Sequence, residues 1–76
     1  MIIVKLRDAI ANHQRRTGEH LTYETLAQRT GLARATLESL ASRQSYNAKL
    51  STIALICRAL GCQPGDLLEL PPGDTQ

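Results

Sequence analysis

The sequence predicts an all-α domain of five short helices, with a small strand pair formed by segments near its two ends. Three observations carry this. Residues 22–42, TYETLAQRTGLARATLESLAS, hold two short helical patterns on either side of Gly31. Apolar residues recur at helical spacing both upstream and downstream of that stretch. Phe and Trp are absent and Tyr occurs only twice, so the core must be aliphatic.

In chain order, Ile2-Ile3-Val4 is β-branched and reads as a strand. The first helix runs from about Lys5 to Thr17. Leu6, Ile10 and His13 stand at i, i+4 and i+7 and form one inward stripe. Arg15 and Arg16 in the last turn suit the helix dipole, and Gly18 ends the helix. Gly18-Glu19-His20 is a connector, and Thr22 is a good N-cap for the second helix.

The second helix runs from about Tyr23 to Thr30, with Leu26 and Ala27 on its inner side. Gly31 follows at the position that wants a left-handed residue, where a Cβ costs roughly 1 kcal/mol or more. Leu32 plugs the corner. The third helix covers about Arg34 to Ser42, with Leu37 and Leu40 on one face. Two helices joined by a turn of three or four residues containing Gly is the helix-turn-helix pattern. Its inner side is Leu26, Leu32, Leu37 and Leu40. Arg34, Ala35, Glu38, Ser39 and Ser42 are left on the opposite face of the third helix. A soluble surface needs nothing more there. A reader of DNA needs short side chains for close approach, with donors and acceptors for base edges. The observed face suits both.

Residues 43–49, RQSYNAK, are polar and without a helical period, and read as a loop. A fourth helix is expected over about Thr52 to Leu60, with Ser51 as its cap and a hydrophobic staple between Leu50 and Leu55. Ile53, Ile56, Cys57 and Leu60 make one apolar stripe, and Leu55 with Ala59 a second. A helix this apolar is expected to be buried on both sides. Gln63-Pro64 opens a fifth helix reaching Leu68, with Pro at its first position. Leu68-Glu69-Leu70 alternates, stops at Pro71-Pro72, and is placed to pair with the N-terminal strand. Residues 71–76 read as a frayed tail, and residues 1–76 as one domain.

Charge is unevenly spread. Residues 1–58 hold all nine Lys and Arg against four acids, a net of +5. The remainder carries three acids and a net of −3. A basic body with an acidic tail fits a protein that presents one face to phosphates. No apolar run is long enough to span a membrane, and MIIVKLRDA lacks the basic region and cleavage site of a signal peptide. The expected compartment is the cytoplasm, with no membrane partner.

Residues 22–42, continued through LSTIALICRALGCQPGDLLEL, resemble the Cro/C1-type (Xre-like) helix-turn-helix regulators, most of all their small single-domain members. The resemblance rests on Leu26-Ala27, Gly31-Leu32, Thr36-Leu37, Leu40, Ala59-Leu60-Gly61 and Asp66-Leu67-Leu68, and covers about residues 5–70. Two positions depart from the family pattern. Ala33 stands where Ser or Thr often caps the recognition helix, and Thr30 stands where an apolar residue usually precedes the turn glycine.

The resemblance implies a five-helix Cro/C1 (lambda repressor-like) fold. It also implies a sequence-specific, double-stranded-DNA-binding transcriptional regulator, a repressor working as a homodimer. The third helix would then enter the major groove, with Arg34, Ala35 and Ser39 as base readers and Thr36 and Glu38 beside them. Arg34 would bridge guanine O6 and N7, and Ala35 would meet a thymine methyl. Thr22, Tyr23 and the amides opening the second helix would touch phosphate. Gln28, Arg43, Gln44, Tyr46, Asn47 and Lys49 would flank the groove and position the domain. The competing class is an antitoxin-like or other protein-interaction module built on the same scaffold.

Other chemistries have little support. Cys57 and Cys62 are five apart and show no paired zinc spacing, so no metal site is expected. Cys57 on the core stripe reads as a small apolar residue. His13 reads as a satisfied inward side chain. Ser39, Ser42, Ser45 and Ser51 have no nucleophile-elbow context, the carboxylates are scattered, and no glycine-rich loop follows a strand. Neither an enzyme nor a cofactor is expected.

Overall fold

The computed structural model describes residues 2–43 and 47–72. Its elements are β1 (Ile3–Val4), α1 (Leu6–Thr17), α2 (Tyr23–Thr30), α3 (Arg34–Ser42), α4 (Leu50–Leu60), α5 (Pro64–Leu67) and β2 (Leu68–Glu69). The fold is therefore the expected one, five helices with a two-stranded sheet.

The helix-turn-helix forms for local reasons at one end and tertiary reasons at the other. The Thr22 hydroxyl accepts from the Thr25 amide at 3.1 Å, which caps α2. Such a cap contributes about 1 kcal/mol. Gly31, at φ 77°, closes α2 by donating its amide to the Ala27 carbonyl at 2.8 Å. Thr30, an unexpected polar residue before that glycine, is buried. Its hydroxyl donates to the Leu26 carbonyl at 2.8 Å and accepts from the Leu32 amide at 3.2 Å. The hydroxyl thus holds the turn by hydrogen bonds where the family pattern uses apolar contact. Ala33 has no side chain with which to cap α3. That helix is held by Leu37 and Leu40, both wholly buried.

Leu6, Ala9, Ile10 and His13 turn α1 inward. This helix packs against α3, α4 and α5, while α2 packs against α3 and α4. The wholly buried side chains Leu6, Leu26, Leu37, Leu40, Ile56, Leu60 and Leu67 come from all five helices and make one aliphatic core.

The start of α4 differs from expectation. The helix begins at Leu50, with Lys49 in the cap position, so Ser51 lies inside the first turn and caps nothing. Leu50 is 82% exposed and cannot staple to Leu55. As the first residue of α4, Leu50 stands at the end of the Ile53 stripe, beyond the core, and borders a shallow groove with Ile2, Val4, Ala48 and Leu68. Only that stripe (Ile53, Ile56, Cys57, Leu60) is buried in the single chain, whereas Leu55 and Ala59 are half-buried. Burial on both sides therefore does not hold within one subunit. Helix α5 ends at Leu67, one residue early, because Leu68 joins β2. The Gln63 amide donates to the Asp66 carboxylate at 3.0 Å and fixes the start of α5.

The strands pair antiparallel, Ile3 with Glu69 and Val4 with Leu68. Each is two residues long, shorter than the three expected. Ile2 and Leu70 lie beyond the ladder and are 57% and 63% exposed. The Lys5 amide donates to the Leu67 carbonyl at 2.7 Å, joining the strand pair to α5.

Behind the helix-turn-helix, Glu19 links α1 to α2. His13 is buried, with Nε2 2.9 Å from Glu19 Oε1 and Nδ1 3.2 Å from the Leu60 carbonyl oxygen. Arg29 of α2 donates to both Glu19 oxygens, one bond measuring 2.9 Å. The Arg29 guanidinium above all, and His13 after it, hold the Glu19 carboxyl down from its ordinary 4.5 to about 2. A carboxyl depressed on folding stabilises the fold above its unfolded pKa, and that contribution disappears as pH falls through the folded value. Stability is thus expected to fall between about pH 4.5 and pH 2 through Glu19. Urea denaturation across this window should show a shallower fall for Glu19→Gln than for the parent; parallel curves would rule out the clamp.

Candidate nucleic-acid interface

The exposed side of α3 is set by what its other side buries. Leu37, Leu40 and Ala41 are buried. At about 100° per residue, Arg34, Ala35, Glu38, Ser39 and Ser42 fall within an arc of about 140° on the opposite side. Arg34, Ala35, Glu38 and Ser42 are exposed, and Ser39 is half-buried at the edge of the arc. Thr36 is half-buried too, on the flank of the buried stripe one turn before Leu40.

Within the arc, Arg34 Nε donates to Glu38 Oε2 at 2.9 Å. The two side chains are 61% and 47% exposed, so this i, i+4 pair is a surface ion pair worth under about 1 kcal/mol. Such a pair opens at little cost when another acceptor competes for the guanidinium. Ser42 donates its hydroxyl to the Glu38 carbonyl at 2.7 Å. This occupies its donor and leaves Arg34, Glu38 and Ser39 as the adaptable polar groups of the face.

At the start of α2, Thr22 is exposed and its hydroxyl is taken up by the cap, and Tyr23 is half-buried against the core. Gln28 is exposed on α2. Arg43 follows α3 directly and is exposed; its amide donates to the Ser39 carbonyl at 2.7 Å, and the residue has a further interaction within the chain. Asn47 and Lys49 are exposed ahead of α4. Gln44 and Tyr46 lie outside the described residues. The structure therefore gathers Arg34, Ala35, Glu38 and Ser39 on one face of one helix. The other sequence-predicted residues are distributed over the start of α2, its exposed side, and the segments bordering α3 and α4.

Sequence reasoning missed the ion pair that ties the α1–α2 connector to α2. The Glu19–Arg29 pair spans a connector and a helix, ten residues apart, and no helical or strand period marks such a pair. Charge complementarity across the turn is the only signal available for it.

Among the described residues, no group of three His, Cys, Asp or Glu could hold a metal ion. Cys57 and Cys62 are free thiols. Burial above all, with Cys57 beside it, pushes the Cys62 thiol up to about 11, which makes it a poor nucleophile at neutral pH. No described helix is long and apolar enough to cross a membrane.

Comparison with known proteins gives the family and the fold. One curated relative is an uncharacterized HTH-type transcriptional regulator, YozG, of Bacillus subtilis (strain 168). It is 46% identical over 44 residues, 58% of this chain and 52% of the relative. The chain thus spans about half the length of that relative. Among solved structures, the restriction-modification controller protein C.AhdI from Aeromonas hydrophila superposes with a TM-score of 0.61. It shares 28% identity, over 83% of this chain and 91% of that one. Residues 17–73 match the Cro/C1-type HTH DNA-binding domain, a span that takes in α2 to α5 and β2 and only the last residue of α1. On that match the chain belongs to the Cro/C1-type helix-turn-helix DNA-binding family.

Proposed function

We propose that this chain is a sequence-specific DNA-binding transcriptional regulator, a repressor that acts by occupying its site as a homodimer. The observation that carries the reading is the α3 arc, where Arg34, Ala35, Glu38 and Ser39 face away from the buried Leu37 and Leu40. Helix α3 lies in the major groove in this reading. Arg34 forks onto guanine O6 and N7, Ala35 meets a thymine methyl, and Ser39 with Glu38 reads the neighbouring base edges. Thr22, Tyr23 and the free amides opening α2 receive a phosphate. Gln28, Arg43, Gln44, Tyr46, Asn47 and Lys49 border the groove, with Thr36 at the edge of α3. Residues 1–76 act as one domain, and DNA as partner sets the working compartment as the cytoplasm.

The test is selection of bound duplexes from a random pool, followed by affinity measurements on the winner across a salt series. Log K should fall steeply with log salt, by about 0.9 for each phosphate neutralised. A flat response, or no duplex retained at low salt, would sink the reading.

Dimerisation is supported by exposed apolar surface. Leu50, Leu70 and Ile2 are exposed, and the second α4 stripe is only half covered. Two subunits side by side would read half-sites about 34 Å apart. Sedimentation equilibrium at micromolar concentration is expected to give twice the chain mass. A monomer both free and on DNA contradicts this. The same apolar surface favours a second reading, an antitoxin-like protein-interaction module; stable capture of a different protein by a chain that selects no duplex would favour it.

A further inference from the structure

We propose that the groove between α1 and the opening of the helix-turn-helix is an effector site for a small aromatic monocarboxylate, whose occupant competes with DNA. The competition rests on the DNA-binding reading above; the site itself does not. The groove has a volume of about 580 Å³, within the range of about 300–1,000 Å³ of small-molecule sites. Its apolar lining is Ile10 and Ala11 of α1, Leu21 of the connector, and the half-buried Tyr23. Arg7 of α1 and Arg34 of α3 bring guanidinium groups to it from two different helices.

The polar groups around this lining select the ligand. Gln14 is committed to the fold, donating to the Leu21 carbonyl at 3.1 Å, and the Thr22 hydroxyl is committed to the cap of α2. Arg7 makes no hydrogen bond or ion pair among the described residues, and Arg34 commits only its Nε, to Glu38. The uncommitted polar groups are therefore the Arg7 guanidinium and part of that of Arg34, with the Glu24 carboxylate, the His20 ring and the Tyr23 hydroxyl also unbonded among the described residues. Glu24 also borders the groove, so two Arg against one Glu give the lining a net charge of +1 once a ligand opens the exposed Arg34–Glu38 pair, with His20 counted neutral. That balance suits one negative charge. The planar guanidinium fork matches a carboxylate, and the Ile10, Ala11 and Leu21 side chains with the Tyr23 ring offer an apolar lining to an aromatic body.

Competition follows from shared residues. Thr22, Tyr23 and Arg34 line the groove and also belong to the proposed DNA face. A carboxylate on Arg34 removes a base reader and puts negative charge where a phosphate would lie. Ligand and DNA then weaken each other's binding by the same factor.

The experiment titrates the full chain with 2-naphthoate, its neutral isostere 2-naphthylmethanol, and inorganic phosphate, followed by amide proton–nitrogen NMR shifts. Naphthoate should move the amides of Ala11, Gln14 and Leu21, with a dissociation constant of about 1 mM or below. The alcohol should bind about tenfold more weakly, and phosphate should leave Ala11 and Leu21 unmoved. Ala11 is exposed and outside the proposed DNA face, so Ala11→Phe should obstruct the apolar part of the groove, abolish the naphthoate shifts and leave DNA affinity unchanged. Arg7→Gln should weaken the acid and not the alcohol, and decides the matter if Ala11→Phe fails to fold. No shifts in the groove, or equal affinity for acid and alcohol, would overturn the site.

Saturating naphthoate should weaken the selected duplex about fivefold or more in the parent and not in Ala11→Phe. Undiminished DNA affinity would overturn the effector role. A parent chain that binds no duplex at low salt would instead defeat the DNA-binding reading, and the NMR titration would still decide the site.

Discussion

Leu37→Ala is expected to destabilise the domain by about 2–5 kcal/mol, enough to leave little folded protein at ordinary temperature. Leu37 is wholly buried on α3, in the cluster that also holds Leu26, Leu40 and Ile56. Truncation removes apolar contact and leaves a cavity that the surrounding helices fill only in part. A domain of this size has a total stability of about 5 kcal/mol or less, so one such loss is comparable with the whole. The position has a further weakness. Helix α3 has Ala33 in its N-cap position and so no side-chain cap, and packing through Leu37 and Leu40 is what holds it in place. Thermal melts should show a midpoint lowered by about 10 °C or more, or no cooperative transition at all. Ala35→Ser, on the exposed face of the same helix, should stay within about 0.5 kcal/mol of the parent. A Leu37→Ala variant that melts within a few degrees of the parent would show that the core does not depend on this contact.

Arg34→Ala and Arg43→Ala should both stay folded and lose DNA binding in different ways. Arg34 sits in the first turn of α3, and among the described residues its guanidinium is held only by the exposed Glu38 pair. Exchanging that surface pair for a bidentate guanine contact is favourable, because the pair is weak and the base contact is worth about 1–3 kcal/mol of discrimination. Arg34→Ala should therefore relax the preference at one base pair per half-site. Arg43 lies just past α3, where a phosphate backbone would run in the proposed complex. Its loss should weaken all duplexes nearly alike and make the salt slope shallower by about one unit. The measurement is the affinity of each variant for the selected site and for single-base changes in it. Full base preference retained by Arg34→Ala would remove Arg34 from the reading.

The local features of the fold were legible because each depends on residues within about one helical turn. Gly18, Gly31 and Gly61 all end helices in left-handed geometry, and Thr22 caps α2 as its chemistry dictates. The stripe Leu6, Ile10, His13 and the stripe Ile53, Ile56, Cys57, Leu60 are buried because their spacing puts each on one face. The division of α3 into a buried side and an exposed arc rests on the same rule. For that reason the residues on the exposed side of α3 could be read from the chain before its geometry.

What tertiary structure alone decided involves partners far apart in sequence or a boundary set by packing. Glu19 looks like a solvent-exposed connector residue until the fold brings His13 and Arg29 to it. Thr30 looks out of place before the turn glycine until its hydroxyl is seen bonding across the turn. Ser51 and Leu50 carry a plausible cap and staple, yet α4 begins at Leu50 and leaves both unused. The strand register, Val4 against Leu68, joins segments more than sixty residues apart. The groove beside Arg7 and Arg34 exists only because α1 packs across the helix-turn-helix. Periodicity and capping chemistry are written in neighbours along the chain, whereas these features depend on which surfaces meet, and that is settled by the joint packing of the five helices.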